Sequence, residues 1–113
     1  MKPRILLVED NKELLEVITE ELHDDYEVLK AADGVQALKV LSTEAVQLVI
    51  SDVMMPVMDG FELCKEIKSN FEYSHIPVIL LTAKNTLQAK IEGLSLGADA
   101  YIEKPFETEY LQA

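Results

Sequence analysis

Short apolar runs alternate along the chain with segments in which apolar residues recur at helical spacing. Three of the runs, at residues 5–8, 48–50 and 78–81, are continuous and β-prone. Continuous runs of this kind are typical of strands that are covered on both faces of a parallel sheet. With two weaker runs, which we place nearer the edges, the pattern predicts strands at 4–8, 26–31, 48–52, 77–82 and 100–103.

The segments between the strands carry the periodicity of amphipathic helices. The apolar positions that indicate the helices are, in chain order, Leu14, Leu15, Ile18 and Leu22; Leu38 and Leu41; Leu63, Cys64, Ile67 and Phe71; and Leu87, Ile91 and Leu94. Asp59 is placed to cap the third helix, with Glu62 three residues on as in a capping box. Gly97 is placed to end the fourth helix, and a fifth begins near Glu107.

Strands and helices therefore alternate in five β-α units. Parallel strands need right-handed helical crossovers, so the helices must cover both faces of one open, doubly wound sheet. The sequence thus predicts a single α/β domain over residues 1–113. In such sheets ligands bind outside the carboxyl ends of the strands, so we expect a functional site at those ends.

The composition fits one soluble, intracellular domain with an excess of acidic residues. The 113 residues include 10 basic and 21 acidic side chains, for a formal net charge of −11, and 49% are hydrophobic, which is enough to form a core. Lys and Arg are too few to favour binding to nucleic-acid phosphates. No apolar run approaches the roughly 18 residues of a membrane span. We expect a cytoplasmic domain that contacts neither nucleic acid nor membrane directly.

The cysteine and the two histidines do not suggest a metal site. Cys64 is the single cysteine of the chain, so no internal disulfide can form. His23 and His75 lie far apart in sequence, and neither lies near Cys64 at the spacing of zinc ligands. We interpret His23 as a surface residue, His75 as a loop residue and Cys64 as a core residue.

Each strong strand ends in a polar side chain. Glu9 and Asp10 follow the first strand, Asp52 ends the third, Thr82 ends the fourth, and Lys104 follows the fifth. A single carboxylate of this kind is well explained as a helix cap or a solvated residue, but the set converges on one edge of the sheet. Convergence of Glu9, Asp10 and Asp52 crowds negative charge, which is unfavourable unless protons or a cation are bound.

A divalent cation with oxygen ligands would relieve that crowding. Two carboxylates and a main-chain carbonyl leave room for waters in an octahedral shell, which suits Mg²⁺ better than Ca²⁺. Phosphoryl transfer needs a nucleophile, a metal ion, a cation and a hydrogen-bond donor. Asp52, Mg²⁺, Lys104 and Thr82 supply one of each. A carboxylate nucleophile gives an aspartyl phosphate, a reactive anhydride suited to a temporary mark.

Four strings of residues resemble the receiver domain of bacterial two-component response regulators and hybrid sensor kinases. They are ILLVEDN at 5–11, DVMMPVMDG at 52–60, LTAK at 81–84 and GADAYIEKPF at 97–106. The resemblance extends over essentially the whole chain. It implies a flavodoxin-like, doubly wound, five-stranded parallel sheet of strand order 2-1-3-4-5, here with a truncated last helix.

The resemblance also implies a role for each residue of the acidic cluster. Asp52 is expected to be the phosphoacceptor. Asp10, Asp52 and the main-chain oxygen of Met54 are expected to bind Mg²⁺, for which Mn²⁺ can substitute, and Glu9 is expected to act mainly through water.

The remaining roles fall on the last two strands and their loops. Thr82 and Lys104 are expected to bind phosphoryl oxygens, and a cis peptide before Pro105 would aim Lys104 at the site. Thr82 and Tyr101 are expected to form the switch, since movement of Thr82 toward the phosphoryl group frees space for the tyrosine ring. Ala83 is small and keeps access to the phosphoacceptor open.

By this resemblance the domain takes a phosphoryl group from the phosphohistidine of a sensor histidine kinase or phosphotransfer domain. Its chemistry is confined to its own Asp52, and the change is relayed to a linked output or kinase module. Only residues 107–113 remain for the fifth helix, so we expect a domain excised from a longer protein. The family's dimer surface, formed by the fourth helix, fifth strand and fifth helix, implies a homodimer that this truncation puts in question.

Three other functions are less compatible with these residues. A flavin mononucleotide site needs a Gly-rich or Ser/Thr-rich turn after the first strand, whereas residues 9–13 are acidic and would repel a phosphate. A hydrolase that passes through an aspartyl phosphate carries another acid two residues past the nucleophile, where this chain has Met54. The third alternative is a docking module that works without phosphorylation, and the complete set of site residues argues against it.

Overall fold

The computed structural model describes residues 2–82 and 87–103. Over these residues strands and helices alternate as predicted. Their bounds are β1 (Arg4–Val8), α1 (Lys12–Leu22), β2 (Glu27–Ala31), α2 (Gly34–Thr43), β3 (Leu48–Asp52), α3 (Gly60–Ser69), β4 (Val78–Thr82), α4 (Leu87–Ser95) and β5 (Ala100–Glu103). The predicted fifth helix lies outside the described residues. None of the described helices has the length and apolar character needed to cross a membrane.

The strands form one parallel sheet in the order β2-β1-β3-β4-β5. This is the predicted doubly wound order, and the two weaker strands lie at the edges as expected. The residues of β1 alternate between two cores: Leu6 and Val8 pack with α2 and α3, whereas Ile5 and Leu7 pack with α1. Both faces of the central strands are therefore buried, which explains their continuous apolar sequence.

Polar side chains begin three of the helices. Asn11 accepts a hydrogen bond from the Leu14 amide at 3.1 Å, and Asp33 accepts one from Gln36 at 2.9 Å. The cap predicted at Asp59 is confirmed, since its carboxylate accepts from the Glu62 amide at 2.8 Å. Each cap satisfies a backbone donor that the first helical turn leaves without a partner.

One predicted position of the third helix is wrong. Phe71 was placed on the apolar face with Ile67, but α3 ends at Ser69 and Phe71 is 96% exposed. The side chain of Asn70 accepts from the Glu72 amide at 2.8 Å, and its carbonyl accepts from Tyr73 and Ser74. The chain therefore turns before Phe71 reaches the inner face of the helix.

The fourth helix is present, but two of its predicted apolar positions point outward. Ile91 is 58% exposed and Leu94 is 43% exposed, whereas Gly93 between them is buried. As predicted, Gly97 ends the helical segment, and it does so with a φ of 101°, in the left-handed region that glycine tolerates. The spacing thus predicted the helix correctly but not the face that it turns toward the sheet.

An ion pair and its hydrogen bonds connect α3 with the amino ends of β4 and β5. Lys68 Nζ lies 3.0 Å from Asp99 Oδ2 and donates to the Ile76 carbonyl at 2.7 Å, and the same Asp99 oxygen accepts from the Val78 amide at 2.8 Å. Partial burial raises the pKa of Asp99, but the hydrogen bonds from Val78 and Lys68 outweigh it and leave this pKa below its usual value. This contact lies at the edge of the sheet opposite the predicted site.

Candidate functional site

Two buried carboxylates lie side by side at the carboxyl edge of the sheet. Val8 of β1 pairs with Ser51 of β3 in the parallel register, so the next residues, Glu9 and Asp52, are neighbours across the two strands. Glu9 is 2% exposed and Asp52 is 7% exposed. Asp10 follows Glu9 and is exposed to solvent. The register of β1 and β3 therefore brings together the three acids that the sequence predicted.

The three acids are close enough to share one cation. Glu9, Asp10 and Asp52 each offer a carboxylate oxygen, and these oxygens lie within 4.8 Å of one another. Crowded carboxylates of this kind are stabilised by a bound cation or by protons. An all-oxygen set with one solvent-facing member fits a hard ion that keeps part of its water shell, such as Mg²⁺. The arrangement can hold a metal ion beside a carboxylate oxygen of Asp52.

Backbone hydrogen bonds hold the ends of both strands. The Glu9 amide donates to Ala31 at 3.0 Å, and the Val53 amide donates to Leu81 at 3.0 Å. One carboxylate oxygen of Glu9 also accepts from the Asn11 amide at 3.1 Å. Asp52 is the last residue of β3 and Glu9 directly follows β1, so central strands of the sheet hold both acids and position them more precisely than a long loop would.

Gly60 brings the start of α3 against the backbone of the site. Its amide donates to the Val53 carbonyl at 2.8 Å, and a Cβ atom at this position would lie 2.3 Å from the carbonyl oxygen of Asp52. Only glycine permits this approach. The role of Gly60 was not predicted from the sequence, although a glycine directly after a capping aspartate is a signal for it.

The loop between β3 and α3 contains a strained residue. Val57 has a φ of 69°, which is unusual for a β-branched residue, and the Met58 amide donates across it to Pro56 at 2.7 Å. No feature of the sequence predicts this conformation. Met54, whose main-chain oxygen was predicted as a metal ligand, lies in the same loop and is exposed.

The other predicted site residues lie on or after β4 and β5. Leu81 pairs with Asp52, so the last residue of β4, Thr82, lies at the same edge of the sheet. Tyr101 pairs with Leu80 and is half-buried against the core. Predicted roles at three further positions fall outside the described residues: Ala83, Lys104 and Pro105.

The cysteine and the histidines lie where the sequence placed them. Cys64 is fully buried in the core, and burial raises the pKa of its thiol above the usual value. His23 is exposed at the end of α1, and His75 is exposed in the loop before β4. None of the three contributes to the acidic cluster.

Comparison with known proteins identifies the family. Residues 5–113 match the family model of the response regulator receiver domain. The histidine kinase P4 of Formosa agariphila is 49% identical over 108 residues, which are 96% of this chain and 8% of that protein. A probable transcriptional regulator, ycf27 of Cyanophora paradoxa, is 42% identical over 113 residues, which are 99% of this chain and 46% of that protein.

Solved structures show the same fold. The chemotaxis response regulator CheY4 of Vibrio cholerae superposes with a TM-score of 0.91 at 35% identity, over 99% of this chain and 94% of that one. The fold and the acidic edge define a signalling domain of the two-component class. The chain belongs to the response regulator receiver domain family. It spans less than half the length of both sequence relatives named above.

Proposed function

We propose that this receiver domain is a switch that is phosphorylated on Asp52, with Mg²⁺ bound at the acidic cluster. The observation that carries the proposal is the meeting of three carboxylates, Glu9, Asp10 and Asp52, within 4.8 Å at the carboxyl edge of the sheet. The donor is a phosphohistidine on a sensor histidine kinase or a phosphotransfer domain, and we place this exchange in the cytoplasm.

The burial of each acid indicates how it would bind the ion. Asp10 is exposed and accessible to a hydrated ion, whereas Asp52 offers an oxygen from the buried side. Glu9 has one oxygen engaged by the Asn11 amide, which suits it to bind through water. The main-chain oxygen of Met54 completes the set. When bound, Mg²⁺ neutralises charge on the carboxylates and on the transferred phosphoryl group, and Mn²⁺ can use the same oxygen ligands.

In the transfer step an oxygen of Asp52 attacks the phosphorus of the phosphohistidine. The new P–O bond forms as the P–N bond breaks, and the electron pair stays on the imidazole nitrogen, which takes a proton. The carboxylate is held at the end of a central strand, so it reaches the phosphorus without reorganisation of the backbone. Thr82 and Lys104 bind the equatorial oxygens of the transferred group.

Phosphorylation of Asp52 is relayed through Thr82 and Tyr101, as a conformational change, to the surface of the domain. Tyr101 lies on β5 beside α4, where Ile91 and Leu94 are exposed. We propose this face as the contact with a linked output or kinase module, or with a second copy of the domain. The two sequence relatives named above are a histidine kinase and a probable transcriptional regulator, and both kinds of linked module are therefore candidates.

The proposal is tested with a small phosphodonor. Wild-type protein incubated with acetyl phosphate and Mg²⁺ is expected to gain one phosphoryl group by intact-protein mass spectrometry, and Asp52→Asn is expected to gain none. Asp59→Asn is the matched control, because asparagine keeps the helix cap while removing an acid near the site, and it should be modified like wild type. An adduct that persists in Asp52→Asn would refute the assignment.

A further inference from the structure

Helix α4 turns a glycine toward the sheet. Gly93 is buried, while Ile91 and Leu94 of the same helix are exposed. A glycine inside a helix costs helical stability relative to alanine, and it brings no side chain to the contact with the sheet. The space beside Gly93 must therefore be filled from another element.

The ring of Tyr101 fills that space. A Cβ atom at Gly93 would lie 2.9 Å from Cδ2 and 3.1 Å from Cε2 of this ring, and 3.2 Å from Cδ1 of Leu80. Distances this short leave no room for a methyl group unless the ring moves. Leu80 is fully buried and pairs with Tyr101 in the sheet, and its contact is the longest of the three, so a small shift of its side chain would relieve it once the ring is absent. A side chain at position 93 would therefore displace the ring of Tyr101.

We propose that Gly93 is a positioning residue for Tyr101. Because glycine has no side chain, the tyrosine ring can pack directly against the backbone of α4. The ring and the helix then share one contact, and a change in the position of the ring changes how α4 lies on the sheet. Ile91 and Leu94 lie on that helix, so a change in the position of the ring also moves these two exposed side chains. The inference rests on the proposed function, because Tyr101 is the switch residue of that proposal.

The proposal predicts that the effect of Gly93→Ala on the Tm depends on Tyr101, which a double-mutant cycle measures. In a Tyr101→Thr background, where the ring is absent and the strand propensity is retained, Gly93→Ala gains helix propensity and is expected to raise the Tm by about 4 °C. With Tyr101 present, the same change is expected to leave the Tm unchanged or lower it, because the new methyl group displaces the ring. The cycle isolates this coupling as the departure from additivity.

Glu92→Ala is the matched control. Glu92 is the preceding residue of α4 and is exposed, so its replacement should shift the Tm equally in both backgrounds. Equal shifts for Gly93→Ala as well would overturn the proposal. The Tm is measured without phosphodonor or Mg²⁺, so a failure of the cycle is distinct from a failure of phosphorylation at Asp52.

A second measurement needs only the single variant and applies even if Tyr101→Thr does not fold. Relaxation of the Tyr101 ring protons by a soluble gadolinium chelate reports how accessible the ring is. We expect a marked increase in Gly93→Ala and no change in Glu92→Ala. Equal relaxation of the ring protons in wild type and in Gly93→Ala would contradict the assigned role. A general loss of stability in Gly93→Ala does not require the ring to move outward, whereas the proposed role does.

Discussion

Burial distinguishes the three acids of the site at the scale of single residues. Glu9 and Asp52 lie at the ends of paired strands and are almost fully buried, whereas Asp10 is exposed. The sequence predicted the meeting of these acids because each follows an apolar strand, and parallel strands bring their carboxyl ends to one edge. It did not predict how deeply each acid is buried, since burial depends on loops that have no period.

The exposed acid gives a test of the metal site. A bound ion stabilises the folded state by mass action, so with a Kd of about 1 mM, Mg²⁺ at about 10 mM should add about 1.4 kcal/mol to the free energy of unfolding. We expect a corresponding rise in Tm for wild type and a much smaller rise for Asp10→Asn. Asp24→Asn, which changes an exposed acid outside the cluster, should respond like wild type. An equal rise in Asp10→Asn would contradict the proposed ligand set.

Gly60 gives a second test at this scale. In Gly60→Ala the added methyl group meets the Asp52 carbonyl oxygen at 2.3 Å, and backbone on both sides must shift. We expect a loss of about 1–3 kcal/mol in the free energy of unfolding, as for other overpacked positions, measured by urea denaturation. We also expect a weaker Mg²⁺-dependent rise in Tm, because the loop that carries Met54 moves. Stability equal to that of wild type would show that the close approach is not tight.

The helices show where periodicity is informative and where it fails. Apolar spacing predicted the positions of the four described helices, but it placed Phe71 inside and did not predict the outward face of α4. In the first case the turn at Asn70 overrides the spacing. In the second, Gly93 is an inward position, and its lack of a side chain leaves no apolar signal. Apolar spacing cannot predict the contact at Gly93, because that contact depends on the absence of a side chain.

The ion pair between Lys68 of α3 and Asp99, which precedes β5, stabilises the packing of these elements to an extent that depends on pH. The pKa of Asp99 in the folded protein lies below its usual value. The stability that this shift contributes is therefore present above the unfolded pKa of Asp and is lost as the pH falls through the folded pKa. Asp99 is half exposed, so we expect Asp99→Asn to cost about 1 kcal/mol or less at neutral pH.

The pH dependence is measured by urea denaturation. The difference in free energy of unfolding between wild type and Asp99→Asn should shrink as the pH is lowered from 7 to about 3, below the usual pKa of Asp. Asp25→Asn, at an exposed acid in the turn after α1, serves as the control and should show no such trend. A difference that stays constant over this range would exclude ionisation of Asp99 as its source.

At the scale of the whole molecule, strand order and charge distribution were predictable for different reasons. The alternation of five apolar runs with helical segments predicted one open sheet with both faces covered, whereas the strand order 2-1-3-4-5 was implied by the family resemblance and is confirmed by the structure. The net charge of −11 first indicated only that nucleic acid was a poor ligand. In the structure three of the acids form one cluster, and others, such as Glu13, Glu16 and Glu20, lie exposed on α1.

The central claim is that Asp52 accepts the phosphoryl group, and chemical mapping of the acceptor tests it most directly. Borohydride reduces an aspartyl phosphate to homoserine, so the modified residue can be located by tandem mass spectrometry after proteolysis. After treatment with acetyl phosphate and Mg²⁺, we predict homoserine at position 52, with none formed when the metal is removed by a chelator. Homoserine at another position, or none in the presence of Mg²⁺, would contradict the proposed switch.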